Sequence, residues 1–139
     1  HLRGDLQARL DTIVAEVAAI RRLAPNVAEA YRRNLVKRLA ESGLVLDLDD
    51  ERLLREIALF AERCDITEEL TRLDSHVSLF RVYLASEEPM GRSLDFLCQE
   101  FHRELNTVGS KANDATIARH VVNAKTELEK IREQVQNVQ

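Results

Sequence analysis

The stretch Gly91–Asp114, GRSLDFLCQEFHRELNTVGSKAND, concentrates carboxylates, guanidinium groups, amides, an imidazole and an ammonium in one short segment. Wound as a helix at about 100° per residue, Leu94, Leu97, Cys98, Phe101, Leu105 and Val108 gather into one apolar stripe. Glu100 and Glu104, four residues apart, stack along one flank of that stripe. Asp95, Gln99, His102 and Asn106 stack along the other, and Arg103 points away. Charged groups at the edge of a core can be shielded from water, which strengthens their action on a bound charge. The alternative is a solvated flank, because like charges at i,i+4 cost only roughly a few tenths of a kcal/mol when exposed.

A second constellation lies upstream. Glu62, Asp65, Glu69, Arg72 and His76 recur at spacings of 3, 4, 3 and 4, so a continuous helix would carry all five on one strip. Hard oxygen donors with one imidazole suit Mg²⁺ or Mn²⁺, and the imidazole favours Mn²⁺. The competing reading is an ion-paired flank, with Glu69 on Arg72 or His76 and Glu68 on Arg72. His102 and His120 read as surface positions without a role. HExxH, P-loop and Gly-x-Ser-x-Gly patterns are absent. Asp74, Ser75 and His76 do not make a triad, since adjacent helical residues point in different directions.

The elements that must position these groups are helices. Leu6, Leu10, Ile13, Val17, Ile20 and Ala24 form a heptad seam over Leu2–Ala24. Pro25 breaks that helix and can start the next. Val27, Tyr31, Leu35 and Leu39 give the second helix its face, and Ser42-Gly43 ends it. After the connector Leu44–Leu48, a third helix from near Asp49 uses Leu53, Ile57, Phe60 and Cys64. Its seam continues through Leu70, Leu73, Val77, Phe80 and Leu84. Asp65-Ile66-Thr67-Glu68 has the spacing of a helix cap, but a single helix to Leu84 is the preferred expectation. Ser86–Pro89 is a loop, Met90–Val108 the organising helix and Gly109–Asp114 a turn. A last helix, Ala115–Gln139, repeats Ile117, Val121, Ala124, Leu128, Ile131, Val135 and Val138 as a second heptad seam. The two heptad helices can pair with each other antiparallel or pair between chains.

The expected fold is therefore all-α, a single domain of long amphipathic helices in an antiparallel bundle or coiled-coil-like arrangement over residues 1–139. Composition agrees: 45% hydrophobic, 32% charged and only 4% aromatic residues disfavour an all-β fold. No apolar run reaches the roughly 18 residues that span a bilayer, and a cytoplasmic location is expected. Cys64 and Cys98 lie on apolar faces far apart, as small hydrophobes in a reducing compartment. A net charge of −4 argues against a broad basic nucleic-acid surface, so contact with RNA would be local or helped by metal ions.

Gly91–Asp114 and the tail Glu127–Gln139 (ELEKIREQVQNVQ) resemble the YicC family of bacterial proteins. Cys64–His76, CDITEELTRLDSH, resembles a third block of that family, and Ala24–Leu35, APNVAEAYRRNL, matches more loosely. The similarity spans the whole chain. Two positions depart from the family pattern: Cys98, where Leu is common, and His102, where Asn is usual. The resemblance implies the carboxy-terminal helical portion of a longer protein with a β-containing amino-terminal half. It also implies a metal-dependent endoribonuclease that assembles as a ring-like homo-oligomer around RNA. Carried onto this chain, its blocks contribute Asp65, Glu68, Glu69, Arg72 and His76 from one helix. From the other come Arg92, Asp95, Gln99, Glu100, Arg103, Glu104, Asn106, Ser110 and Lys111.

The resulting expectation is divalent-metal-assisted cleavage of RNA phosphodiesters. Glu69, His76, Glu100 and Glu104, with Asp65, would hold Mn²⁺ or Mg²⁺. Arg72, Arg103 and Lys111 would stabilise transition-state charge. The attacker is either water or the RNA 2′-hydroxyl. Two rivals stand beside it: a non-catalytic helical oligomerisation or partner-binding module, and an RNA-binding adaptor without cleavage.

Overall fold

The structure is a computed structural model that describes residues 1–44 and 47–137. Its elements are α1 (Leu2–Leu23), a 3₁₀ turn (Ala24–Asn26), α2 (Val27–Glu41), α3 (Glu51–Arg63), α4 (Thr67–Ala85), α5 (Gly91–Lys111) and α6 (Ala115–Asn137). No strand is present among the described residues, so the all-α expectation holds. Val138, counted above in the last heptad, lies outside the described residues, as do residues 45 and 46 of the connector.

The two heptad seams meet within the chain. Leu6, Leu10, Ile13, Val17 and Ile20 of α1 and Ile117, Val121, Ala124, Leu128, Ile131 and Val135 of α6 are all buried. Polar pairs at the seam's edges fix an antiparallel register, Arg9 with Glu127 at 3.0 Å and Glu16 with His120 Nδ1 at 2.5 Å. His120, expected at the surface, is therefore part of this seam. Across α5 and α6, Asn106 accepts from Lys125 at 2.6 Å and Asp95 faces Arg132 at 3.6 Å, again antiparallel. Across α4 and α5, Arg72 meets Glu104 and Lys111 meets Glu69. Arg21–Asp74 and Arg81–Asp11 run α1 antiparallel to α4. The four long helices thus form a bundle in the cyclic order α1, α4, α5, α6, each antiparallel to its neighbours.

Surface ion pairs such as Arg21–Asp74 are worth about 0–1 kcal/mol each, so the buried apolar stripes hold the bundle and the pairs set its register. Phe101 is central. It is fully buried and takes Phe80 and His76 edge-on, with ring centroids 6.2 and 5.6 Å away. Gly109 lies inside α5 rather than opening a turn. A Cβ there would stand 3.4 Å from Val121 Cγ1, an ordinary van der Waals contact, so Gly109 sits where α5 packs on α6. The turn is confined to Ala112–Asp114. Asn113 adopts a positive φ of 51°, and the Asp114 carboxylate caps α6 by accepting from the Ile117 amide at 2.9 Å.

The preferred single helix through Leu84 is not formed. α3 ends at Arg63 and α4 begins at Thr67. Asp65 Oδ1 accepts from the Thr67 amide at 3.0 Å and from its hydroxyl at 2.5 Å, a local closure that competes with helix continuation. Ile66, 2% exposed, anchors the break in the core. The break frees α2 and α3 to pair as a hairpin that extends the bundle between α1 and α4. Tyr31 stacks on Phe60 at 3.7 Å there and donates to Glu56 at 2.9 Å. This hairpin is thinly packed: Val27 is the only buried residue of α2, and Leu35 and Leu39 are half-buried.

Both cysteines are free thiols, Cys64 half-buried and Cys98 fully buried against α6. Burial pushes the Cys98 thiol up to about 12 and raises that of Cys64. In the native protein at pH 8, iodoacetamide should therefore leave Cys98 unmodified until denaturant is added, as read by mass spectrometry. The sign for stability follows from linkage. Above the unfolded value near 9, the unfolded chain loses the thiol proton while the native state keeps it, so Cys98 favours unfolding as pH rises from about 9 to 12. Cys98→Val should flatten the fall of the melting temperature across that range relative to wild type.

Candidate active site on the α4–α5 seam

Two carboxylates lie inside the protein. Glu69, on the first turn of α4, and Glu104, mid-way along α5, are each 3% exposed. Burying a charge is costly unless it is paired. Arg72 supplies the pairing. Its Nε donates to Glu104 Oε1 at 2.8 Å, a second nitrogen stands 3.6 Å from Glu69 and a third 3.8 Å from the exposed Glu68. The hydrogen bond to Glu104, foremost, holds the Arg72 guanidinium more firmly protonated than usual. Lys111 Nζ reaches both oxygens of Glu69, at 3.2 and 3.4 Å. Arg72 and Lys111 are themselves partly open to solvent, so the cations form the mouth of the site and the carboxylates its floor.

His76 lies one helical turn along α4 from Arg72. Burial, the largest influence, pushes its pKa below the usual imidazole value; Arg72 acts in the same direction, and Glu104 and Glu100 oppose it. The ring is therefore neutral at pH 7. Two polar atoms here are buried and have no hydrogen-bond partner: His76 Nε2 and Glu104 Oε2. An orphaned buried acceptor costs about 1–3 kcal/mol. Each of these two atoms therefore keeps an unused hydrogen-bonding position in a site otherwise built from paired groups. Glu100 is half-buried beside them, with Arg103 3.7 Å away and largely exposed.

The structure thus brings together Glu69, Arg72, His76, Glu100, Arg103, Glu104 and Lys111. It does not bring in Glu62, which is exposed on α3 beyond the break, so the strip of five does not form. Asp65 is exposed and its carboxylate is engaged by Thr67 at the start of α4. The Thr67 hydroxyl, foremost, holds its carboxyl below the usual range, and Lys111 adds to this from the end of the groove. Four other polar residues of α5 are engaged elsewhere: Asp95 and Asn106 bind α6, Gln99 donates to Asp95, and Ser110 donates to the Thr107 carbonyl. The sequence reading did not single out Phe96, whose ring is 63% exposed one turn before Glu100; its signal was an aromatic residue off the apolar stripe.

The chain matches the family described as endoribonuclease YicC-like, C-terminal, over residues 20–139. It belongs to that family. A probable endoribonuclease YicC of Clostridioides difficile is 39% identical over 142 residues, covering 99% of this chain and 47% of that protein. A probable endoribonuclease YicC of Haemophilus influenzae is also 39% identical, over 138 residues, with the same coverage of both chains. The chain spans about half the length of these curated YicC relatives. No helix among the described residues is long and apolar enough to cross a membrane.

Among the described residues, no three His, Cys, Asp or Glu side chains converge at metal-binding spacing. The donor types nonetheless suit a hard divalent cation, and Glu104 Oε2 and His76 Nε2 are two donor atoms without a hydrogen-bond partner. Arg72 occupies the other oxygen of Glu104, and Lys111 both oxygens of Glu69.

Because Arg72 answers for the Glu104 charge, Arg72→Met should lower the melting temperature by stranding a buried carboxylate. Arg72→Met combined with Glu104→Leu should recover or exceed the wild-type value, since an apolar pair fills the space without desolvated charge. Thermal melts of the four proteins of this cycle check both signs.

Proposed function

We propose that the α4–α5 groove cleaves RNA phosphodiester bonds with the help of a bound divalent cation, Mn²⁺ or Mg²⁺. The observation that carries this reading is the buried, unpartnered pair His76 Nε2 and Glu104 Oε2 beneath partly exposed cations. Membership of a family described as endoribonuclease supports the reaction class.

On this reading Glu69, His76, Glu100 and Glu104 would hold the cation, with Asp65 at the Lys111 end of the groove. When bound, such a cation would supply polarisation of a phosphate oxygen and a lowered pKa for a bound water. The protein's own groups do the rest. Arg72 swings from Glu104 to a non-bridging phosphate oxygen, a short movement for a side chain already at the mouth. Lys111 and Arg103 flank the phosphate and stabilise the charge that builds on it during substitution. His76, neutral and open at Nε2, can accept a proton where it is not ligating. The buried floor excludes water on one side of the phosphate, which keeps these interactions strong.

A homo-oligomer is part of the same proposal. The α2–α3 hairpin leaves Leu44, Leu48, Leu54 and Leu59 between 44% and 59% exposed on an arm with few contacts of its own. A second copy covering this arm would remove those side chains from water.

Glu104→Gln and Glu100→Gln should each lower the cleavage of a labelled RNA in Mn²⁺ by about 100-fold or more, with helical content by circular dichroism unchanged. Cleavage that survives both substitutions, or that is indifferent to chelator, removes the metal site from these residues. Leu54→Asp with Leu59→Asp should lower the mass measured by light scattering; an unchanged mass takes the arm out of any interface.

A further inference from the structure

Among the described residues, Phe96 is the most exposed of the large apolar side chains and the only aromatic one so exposed. An exposed phenyl ring forfeits the hydrophobic gain of burial, so its placement asks for an occupant. The placement is specific. Phe96 precedes Glu100 by four residues and shares its face of α5, about 6 Å away along the helix axis. Arg92, a further turn back on that face, is exposed and has no acidic partner among the described residues. The face therefore reads cation, aromatic ring, carboxylate, cation: Arg92, Phe96, Glu100, Arg103, with Glu104 buried beneath.

A single RNA strand presents the complementary order. Its phosphates recur every few ångströms, about 3.4 Å per nucleotide when stacked, and each unpaired base offers a flat apolar face. Proteins that hold single strands combine cations along the backbone with aromatic rings on which bases stack. The exposed apolar residues Leu79 and Val82 lie on α4. The register of the α4–α5 pairs brings them level with the Phe96 end of the groove. A cavity here would suit a small ligand, but the ring stands out from the surface and suits a stacked base.

We propose that Phe96 is the stacking platform for an unpaired base one or two nucleotides from the scissile phosphate, with Arg92 receiving the adjoining phosphate. This rests on the reading of the groove as an RNA-cleaving site. It makes the preferred substrate unpaired RNA, because in a duplex both faces of the base are covered.

The chain has no tryptophan, so Phe96→Trp places a lone indole at the platform. Titrating that variant with single-stranded RNA in chelator should quench its emission, and an otherwise identical RNA lacking bases should not. By anisotropy, Phe96→Ala should bind the intact strand about 10-fold or more weakly, Phe96→Tyr should bind as wild type, and Phe96→Leu should resemble Phe96→Ala. The baseless strand should bind wild type and Phe96→Ala alike. Full affinity in Phe96→Ala or in Phe96→Leu overturns stacking. So does an affinity loss in Phe96→Ala that tracks a fall in mass by light scattering, which would assign the ring to a second copy of the chain. Cleavage is scored separately in Mn²⁺: binding that depends on Phe96 without any cleavage sinks the catalytic reading and leaves the platform, whereas cleavage with Phe96-independent binding does the reverse.

Discussion

A buried carboxylate cannot stand alone, and this constraint shapes the α4–α5 seam. Glu104 projects from the edge of α5 into space that an apolar residue would fill more cheaply. Its presence obliges Arg72 to lie across the seam, and Glu69 obliges Lys111 to do the same one end further on. Those two crossings fix how α4 slides against α5. The apolar stripes below would tolerate small slips, since dispersion contacts are non-directional. Hydrogen-bonded charges would not. Register on this face is therefore set by groups that do not maximise stability.

The charge balance of the cluster also constrains any chemistry in it. Glu68, Glu69, Glu100 and Glu104 face Arg72, Arg103 and Lys111, four negative groups against three positive. A divalent cation entering alone must compete with cations already in place. A phosphate entering alone meets the carboxylates. Entering together they bring compensating charges, and Arg72 can exchange one anion for the other by a short swing at the mouth. On the proposed reading, metal and RNA thus bind with positive coupling, and the ligand-free cluster stays nearly neutral at modest cost. Two orphaned atoms, rather than an assembled cage, are what such a resting state leaves behind.

The long periodic elements were legible in the sequence because periodicity is what buries them. The seams of α1 and α6 and the stripe of α5 are each buried as their spacing indicates. The break between α3 and α4 was not, although its cap was visible at Asp65–Thr67. The apolar pattern runs nearly unbroken across it, and a two-residue hydrogen bond decided against the pattern. Glycine often ends a helix on local grounds, but at Gly109 α5 runs on to Lys111 and packs against Val121 of α6. For the site, spacing put Glu100 and Glu104 on one flank. It could not say that Glu104 would be buried and Glu100 half-open, because that depends on where α4 lies. The family resemblance supplied the pairing with Glu69 and His76. It also carried in Asp95 and Asn106, which face α6, while the upstream spacing had already included Asp65, which is held by Thr67; nothing in spacing separates such residues from those of the groove.

The position of the groove on the bundle follows from the same physics. A site in the core between four helices would leave its carboxylates with a desolvation cost that is hard to offset, and no strand of RNA could reach it. A site on the outer face would leave Glu69 and Glu104 in water, where a charge acts weakly on a neighbour. The seam between two antiparallel helices offers a floor from which water is excluded and a rim long enough to meet successive nucleotides. On α5 the residues at i, i+4 and i+8 reach from Arg92 through Phe96 to Glu100, and Glu104 follows under Arg72. The helical repeat that buries the stripe on one side therefore also spaces the groups on the other, so the core and the groove are two faces of a single segment.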